Sequence, residues 1–149
     1  MRNVLPLLAL LVFVAPANAQ ERRAMTTDDA LDMVRVGGAT ISPDGSWVLF
    51  SKSELDWDEN ERKTTWWKVP SDGSEEPWQF IGEDGGSAPQ FSPDGQWLSF
   101  TRTVDEKRQL FVMRTDGGEA VQLSEHETAV GSYQWTDDGA RIVFVATLS

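Results

Sequence analysis

Apolar and polar residues alternate in short runs along this chain, and most of those runs abut an Asp-Gly pair. Val48 and Phe50, Leu98 and Phe100, and Ile142 and Phe144 take matching places after such a pair, so each set points to one face of its strand. Ile41, Phe91 and Trp135 match one another just before it. Further strands are expected at "WWKVP" and "LFVMR", where Trp67 corresponds to Phe111 and Val69 to Met113, and then at "WQFI" and "AVQL".

The Asp-Gly pairs lie at Asp44-Gly45, Asp72-Gly73, Asp94-Gly95, Asp116-Gly117 and Asp138-Gly139. Between runs of β-branched and aromatic residues such a pair marks a hairpin, because glycine tolerates the positive φ that a tight turn demands. Two kinds alternate: "SPDG", with the degenerate "TDDG", and "SDGS" or "TDGG". Gly73 to Gly95, Gly95 to Gly117 and Gly117 to Gly139 each span 22 residues, whereas Gly45 to Gly73 spans 28, which places a six-residue insertion in the first unit. A period of 44 residues with four short strands belongs to propeller blades rather than helical solenoids.

The expected fold is therefore all-β: an incomplete β-propeller of about two and a half four-stranded blades preceded by a short helix. Residues 1–19 read as a signal peptide, 20–38 as an N-terminal segment with the helix, 39–82 as blade 1, 83–124 as blade 2, and 125–149 as a partial blade 3. The helix is expected in "TTDDALDMVRVGG", with Thr26 or Thr27 as cap, Asp28 and Asp29 in the first turn, and Gly37 as stop. A propeller closes with roughly four to eight blades. The chain thus reads as the N-terminal part of something longer, or as one that needs further material to finish the ring.

The first residues change the picture of where the protein works. Arg2 precedes an uncharged run from Val4 to Val14 and the small-residue pattern Ala17-Asn18-Ala19, which reads as a secretory signal cleaved after Ala19. The apolar run falls short of the roughly 20 residues that a membrane-crossing helix needs, so no membrane span is expected in the mature chain. The expected location is periplasmic or secreted. Without those residues the chain carries 12 basic and 24 acidic side chains, a balance that repels phosphate backbones and makes nucleic acid a poor partner. Cysteine is absent, so stability must come from packing rather than disulfides.

The stretch "MTTDDALDMVRVGGATISPDGSWVLFSKSELDWDENERKTTWWKVPSDGSEEPWQF" resembles the start of the propeller in bacterial members of the prolyl oligopeptidase family, in particular the acylaminoacyl peptidase and dipeptidyl aminopeptidase-like branch. The second unit, "FSPDGQWLSFTRTVDEKRQLFVMRTDGGEAVQLS", is similar to the repeat shared by that family and TolB-type propellers. A separate globular domain precedes the propeller in TolB-like proteins, and the short stretch between Ala19 and Ile41 has no room for one. The resemblance implies a lid over an α/β-hydrolase that carries a Ser, Asp and His triad, with short peptides admitted as substrates. That hydrolase follows the propeller in the family's chain order, beyond Ser149. The alternative is a non-catalytic TolB-like periplasmic propeller that binds protein or envelope components.

No catalytic, cofactor-binding or metal residue is assigned within the chain. Gly85-Gly86-Ser87-Ala88-Pro89 approaches the Gly-x-Ser-x-Gly elbow of serine hydrolases, but proline replaces the second glycine and no helix signal follows. His126, the one histidine, would have to be the base of any such triad, and it sits in the polar stretch "SEHETAVGS". Asp56, Asp58 and Asn60 superficially begin a calcium loop, but Glu61 stands where its turn glycine belongs and Trp67 where its bidentate glutamate belongs. In the family, dipeptidyl peptidases hold a substrate's amino terminus with paired glutamates on a helical insertion. Glu75 and Glu76 follow a hairpin turn instead, and that role is not carried over. Trp47, Trp67, Trp97 and Trp135 occupy repeat positions and read as blade packing, whereas Trp57, Trp66 and Trp78 fall in or near variable parts.

Overall fold

The computed structural model describes residues 23–82 and 85–147, so the expected signal peptide lies outside the described residues. A single helical turn, α1 (Thr27–Leu31), precedes ten strands. Blade 1 is the antiparallel meander β1 (Arg35–Ile41), β2 (Trp47–Asp56), β3 (Glu61–Pro70) and β4 (Trp78–Ile81). Blade 2 repeats it with β5 (Ser87–Phe91), β6 (Trp97–Val104), β7 (Lys107–Arg114) and β8 (Val121–Gln122). A third sheet holds β9 (Val130–Trp135) and β10 (Ile142–Ala146). The last strand of blade 2 is thus shorter than the "AVQL" run suggests.

Register bears out the correspondence between the units. Phe50 pairs with Trp67 and Val48 with Val69 in blade 1; Phe100 pairs with Phe111 and Leu98 with Met113 in blade 2. The six-residue insertion is divided along one hairpin. β2 and β3 are each two residues longer than β6 and β7, and their connection Trp57–Asn60 is two residues longer than Asp105-Glu106. The "SPDG" turns are not minimal two-residue hairpins. Gly45 N–H donates to Ser42 O at 2.9 Å, Ser42 N–H closes the loop on Trp47 O at 2.9 Å, and only Gly45 takes positive φ, 74°.

The core lies where the two full blades meet. Leu49, Trp66 and Ile81 of blade 1 form one cluster with Leu98, Phe100, Phe111 and Met113 of blade 2, and the Phe100 and Phe111 rings stack with centroids 6.0 Å apart. Blade 2 turns its other face to the third sheet, where Tyr133 Oη donates to Ser99 O at 3.0 Å and Trp135 Nε1 to Ser99 Oγ at 2.8 Å. Burial pushes the Tyr133 phenol up to about 12. Val48, Phe50, Trp67 and Val69 are the equivalents of buried Leu98, Phe100, Phe111 and Met113, yet they are only half-buried. Their face of blade 1 points away from blade 2, and no other described sheet covers it.

The expected helix end is corrected. The helix stops at Leu31 with Asp32 as C-cap, well before Gly37, which lies inside β1. Thr26 is the N-cap, in a reciprocal capping box with Asp29. Gly38 lies within a β-bulge between Gly37 and Thr40, and a Cβ on it would stand 2.8 Å from Trp66 Cη2, so the glycine makes room for a ring. Trp66, near the variable part in sequence, is core at 7% exposed, because the insertion lengthens the hairpin beyond it and leaves its register intact.

Candidate functional site

In a meander, strand ends alternate between two rims of the sheet. All five Asp-Gly turns therefore fall on one rim. The opposite rim gathers everything that varies: α1, the Trp57–Asn60 loop, the segment after Ile81, the Asp105-Glu106 turn, and the segment from Leu123 to Ala129. Asp105 and Glu106 both take positive φ, 46° and 63°, as a two-residue mirror-image turn requires, although neither is glycine.

On the varied rim the lengthened hairpin and α1 are bonded together. Trp57 Nε1 donates to Asp32 Oδ1 at 2.7 Å, and Arg62 Nη2 donates to Leu31 O at 2.7 Å. Lys63 Nζ holds Asp56 Oδ2 at 2.7 Å and Glu59 Oε2 at 3.2 Å, which raises the ammonium above its usual range. Asp56 is lowered, first by Lys63 and then by the backbone N–H of Glu59 that caps its loop. The carboxylate that the calcium-loop pattern would have used is thus committed to a lysine. Arg23 grips Asp29, with Nη2 to Oδ1 at 2.6 Å, and holds that carboxyl well below the usual carboxylate range.

Clefts open on this rim, two of them larger than the one at the hairpin tip beside Asp56 and Lys63. One, of about 360 Å³, lies between blades 1 and 2 and takes its walls from residues 61–64, 85–87 and 101–103. The other, of about 390 Å³, is bounded by Val104, Lys107, Gln109, Gln122 and the Glu125–Glu127 stretch.

The sequence candidates do not converge. Ser87 begins β5, and its Oγ lies 2.9 Å from Thr101 Oγ1 in the first cleft. His126 lines the second, its ring edge-on to Phe144 with centroids 6.0 Å apart and its Nδ1 facing Thr128 Oγ1 at 3.1 Å. Those clefts share no lining residue, so Ser87 and His126 do not form a nucleophile and base. Glu75 and Glu76 are exposed in the turn between β3 and β4, on the Asp-Gly rim, away from both clefts. Among the tryptophans, Trp47 meets Trp78 edge-on at 5.5 Å, and Trp97 lies 5.2 Å beneath the Arg114 guanidinium. Trp78 therefore joins the packing, whereas Trp57 is 54% exposed at the hairpin tip.

No family model matches the chain. It is 30% identical over 129 residues to the uncharacterized peptidase YuxL of Bacillus subtilis, covering 85% of this chain and 20% of that protein. It is 26% identical over 159 residues to dipeptidyl-peptidase 5 of Porphyromonas endodontalis, covering 99% of this chain and 23% of that protein. The chain thus spans about a fifth of the length of these relatives. In fold it matches the acylaminoacyl peptidase of Pyrococcus horikoshii with TM-score 0.61 at 20% identity, over 78% of this chain and 18% of that one. The β-propeller domain of the trilobed protease from Pyrococcus furiosus gives TM-score 0.57 at 16% identity, over 74% and 33% of the two chains. TolB from Acinetobacter baumannii gives 0.60 at 20% identity, over 76% and 27%. The stacked meanders, the matching registers and these likenesses agree: the chain is a run of β-propeller blades similar in sequence to part of two peptidases.

Proposed function

We infer that this chain is the substrate-access part of an exported serine peptidase that hydrolyses short peptides. The observation that carries this reading is sequence similarity to two peptidases across most or all of the chain. The chemistry is acyl transfer from the peptide to a serine and then to water, with an imidazole base and an oxyanion hole. Those groups belong to a hydrolase domain beyond Ser149, and the propeller acts as its lid. Export follows from the signal-like segment ending at Ala19. The varied rim is the side that serves access, since it carries both clefts and the lengthened hairpin while the opposite rim repeats one turn chemistry.

The coding sequence after Ser149 tests this. Further blades followed by a Gly-x-Ser-x-Gly elbow, then Asp and His, are expected, and the protein spanning them should cleave aminoacyl and short-peptide anilides. Replacing the elbow serine by alanine should abolish cleavage. A reading frame that closes after its blades with no such domain would overturn the peptidase reading in favour of a binding propeller of the TolB kind.

A further inference from the structure

The cleft between blades 1 and 2 contains a guanidinium whose hydrogen-bonding capacity is largely unused. Arg102 is half-buried near the end of β6, with its Nε donating to Gly85 O at 3.2 Å. Its Cζ stands 5.5 Å and 5.1 Å from the ring centroids of Phe100 and Phe111. Among the described residues no carboxylate pairs with it and its two Nη atoms make no hydrogen bond, whereas Arg23, Lys63 and Arg114 each hold an aspartate. Arg62, which lines the same cleft, also has no carboxylate partner among the described residues, but its Nη1 and Nη2 donate to Ser53 O and Leu31 O. Lys52, the equivalent residue one blade earlier, lies 3.6 Å over the Trp67 ring, so the cation over an aromatic is repeated architecture. Of the two guanidiniums lining the cleft, Arg102 is the one whose Nη groups donate to no described residue.

We propose that this cleft binds the C-terminal carboxylate of a short peptide, with Arg102 gripping both oxygens. A guanidinium presents parallel N–H groups at the spacing of a carboxylate, and its Nε bond to Gly85 O beside the phenylalanine rings restrains where the fork lies. Thr64 and Thr103 line the same cleft with hydroxyls for the bound group, whereas those of Ser87 and Thr101 are bonded to each other at 2.9 Å. Glu61 is on the wall as well, and a second negative charge on the ligand would meet it, so a singly charged carboxylate fits better than a phosphate dianion. The volume, about 360 Å³, accommodates a few residues of peptide rather than a protein segment. The peptide part of the assignment rests on the peptidase reading above; the carboxylate part rests on Arg102 alone.

The test is an amide-resolved NMR titration of the whole chain with trialanine, trialanine amide, sodium acetate and inorganic phosphate. Saturable shifts at Thr64, Ser87 and Thr101 to Thr103 are expected with trialanine, with at least a tenfold weaker response to its amide. Arg102→Gln should weaken trialanine at least tenfold at unchanged circular dichroism. Arg102→Lys, which keeps the charge and loses the fork, should fall between the two. Equal response to acid and amide, or no saturable shift at these residues, overturns the proposal in the native chain whatever the variants do. Acetate binding as tightly as trialanine overturns the peptide assignment, and phosphate binding more tightly than either overturns the carboxylate. None of these outcomes bears on the peptidase reading, which is decided by hydrolysis in the longer protein.

Discussion

Gly86 lies against the ring of Phe100 so closely that a Cβ built on it would stand 2.4 Å from Cδ2 and 2.9 Å from Cγ. The carbonyl of the same glycine accepts the Trp66 indole N–H at 2.7 Å. The feature that made Gly85-Gly86-Ser87 look like a nucleophile elbow is thus a packing device, which lets backbone approach two core rings from the rim. Gly86→Ala should destabilise the chain by about 1–3 kcal/mol through overpacking, since a core ring and not a flexible side-chain end must give way. Urea unfolding measures it, and an unchanged midpoint would show that the segment sits farther from the core.

Phe100 is fully buried in the same cluster. Phe100→Ala should cost about 3–5 kcal/mol, the range for removing a core aromatic. Phe50, its blade 1 equivalent, is half-buried, and Phe50→Ala should cost clearly less in this chain. A loss below about 1 kcal/mol for Phe100→Ala would sink the blade alignment, because its place in the repeat demands a core position.

A five-residue helix has no stability of its own, because nucleation costs more than so few bonds return. α1 is held by its capping box and by the hairpin, through Trp57 Nε1 to Asp32 and Arg62 to Leu31 O. Trp57→Phe keeps an aromatic ring and removes the indole N–H. Amide exchange in Thr27–Leu31 should then quicken while exchange in β6 and β7 stays unchanged. Equal protection in both proteins would mean that Asp32 and Trp57 do not hold the helix.

The strands, their pairing and the place of the insertion were legible because each depends on local signals of period two and on glycine turns. Trp66 was not, since the same sequence neighbourhood carries the charged insertion and only the register shows where the hairpin lengthens. Gly37 misled because a glycine after a helical pattern and a glycine at a bulge look alike in one sequence. Asp105-Glu106 carries no glycine, so its turn gave no local sign. The cleft around Arg102 was illegible for another reason. Its walls come from residues 61–64, 85–87 and 101–103, and only blade stacking brings them together.

The "SPDG" aspartates should make the chain acid-labile in a defined window. Asp44 accepts from Ser42 Oγ at 2.6 Å and from Ser46 Oγ at 2.7 Å, bonds that hold its carboxyl down at about 2, and Asp94 and Asp138 are lowered by the same turn chemistry. A lowered folded value means that the stabilisation is complete above the unfolded value of about 4 and is lost as pH falls toward the folded one. Replacing Asp44, Asp94 and Asp138 together by asparagine should flatten the decline of the urea midpoint below about pH 4. A triple variant with the parent's slope would place the acid sensitivity elsewhere.

Lys68 should make stability rise with pH in a second window, on the alkaline side. It is 4% exposed, with Nζ 2.5 Å from Thr115 O in blade 2 and 4.1 Å from the centroid of the Trp47 ring. Burial lowers its pKa, against the opposing pull of Asp116 and Asp44. The unfolded chain therefore binds more protons at this site over a window that ends near the unfolded value of about 10.4, and stability rises with pH across that window. Tyr133 works the other way, because its raised pKa costs stability once unfolded tyrosine ionises near about 10, so the measurement belongs below about pH 9.5. Urea midpoints from neutral pH to that limit should climb in the parent. Lys68→Met, similar in length and without charge, should lose the climb and be no less stable at neutral pH, because an apolar side chain fills the same aromatic pocket without desolvating an ammonium. A midpoint that falls with pH in the parent, or a variant that keeps the climb, would show that Lys68 holds the two blades together as a fully charged group.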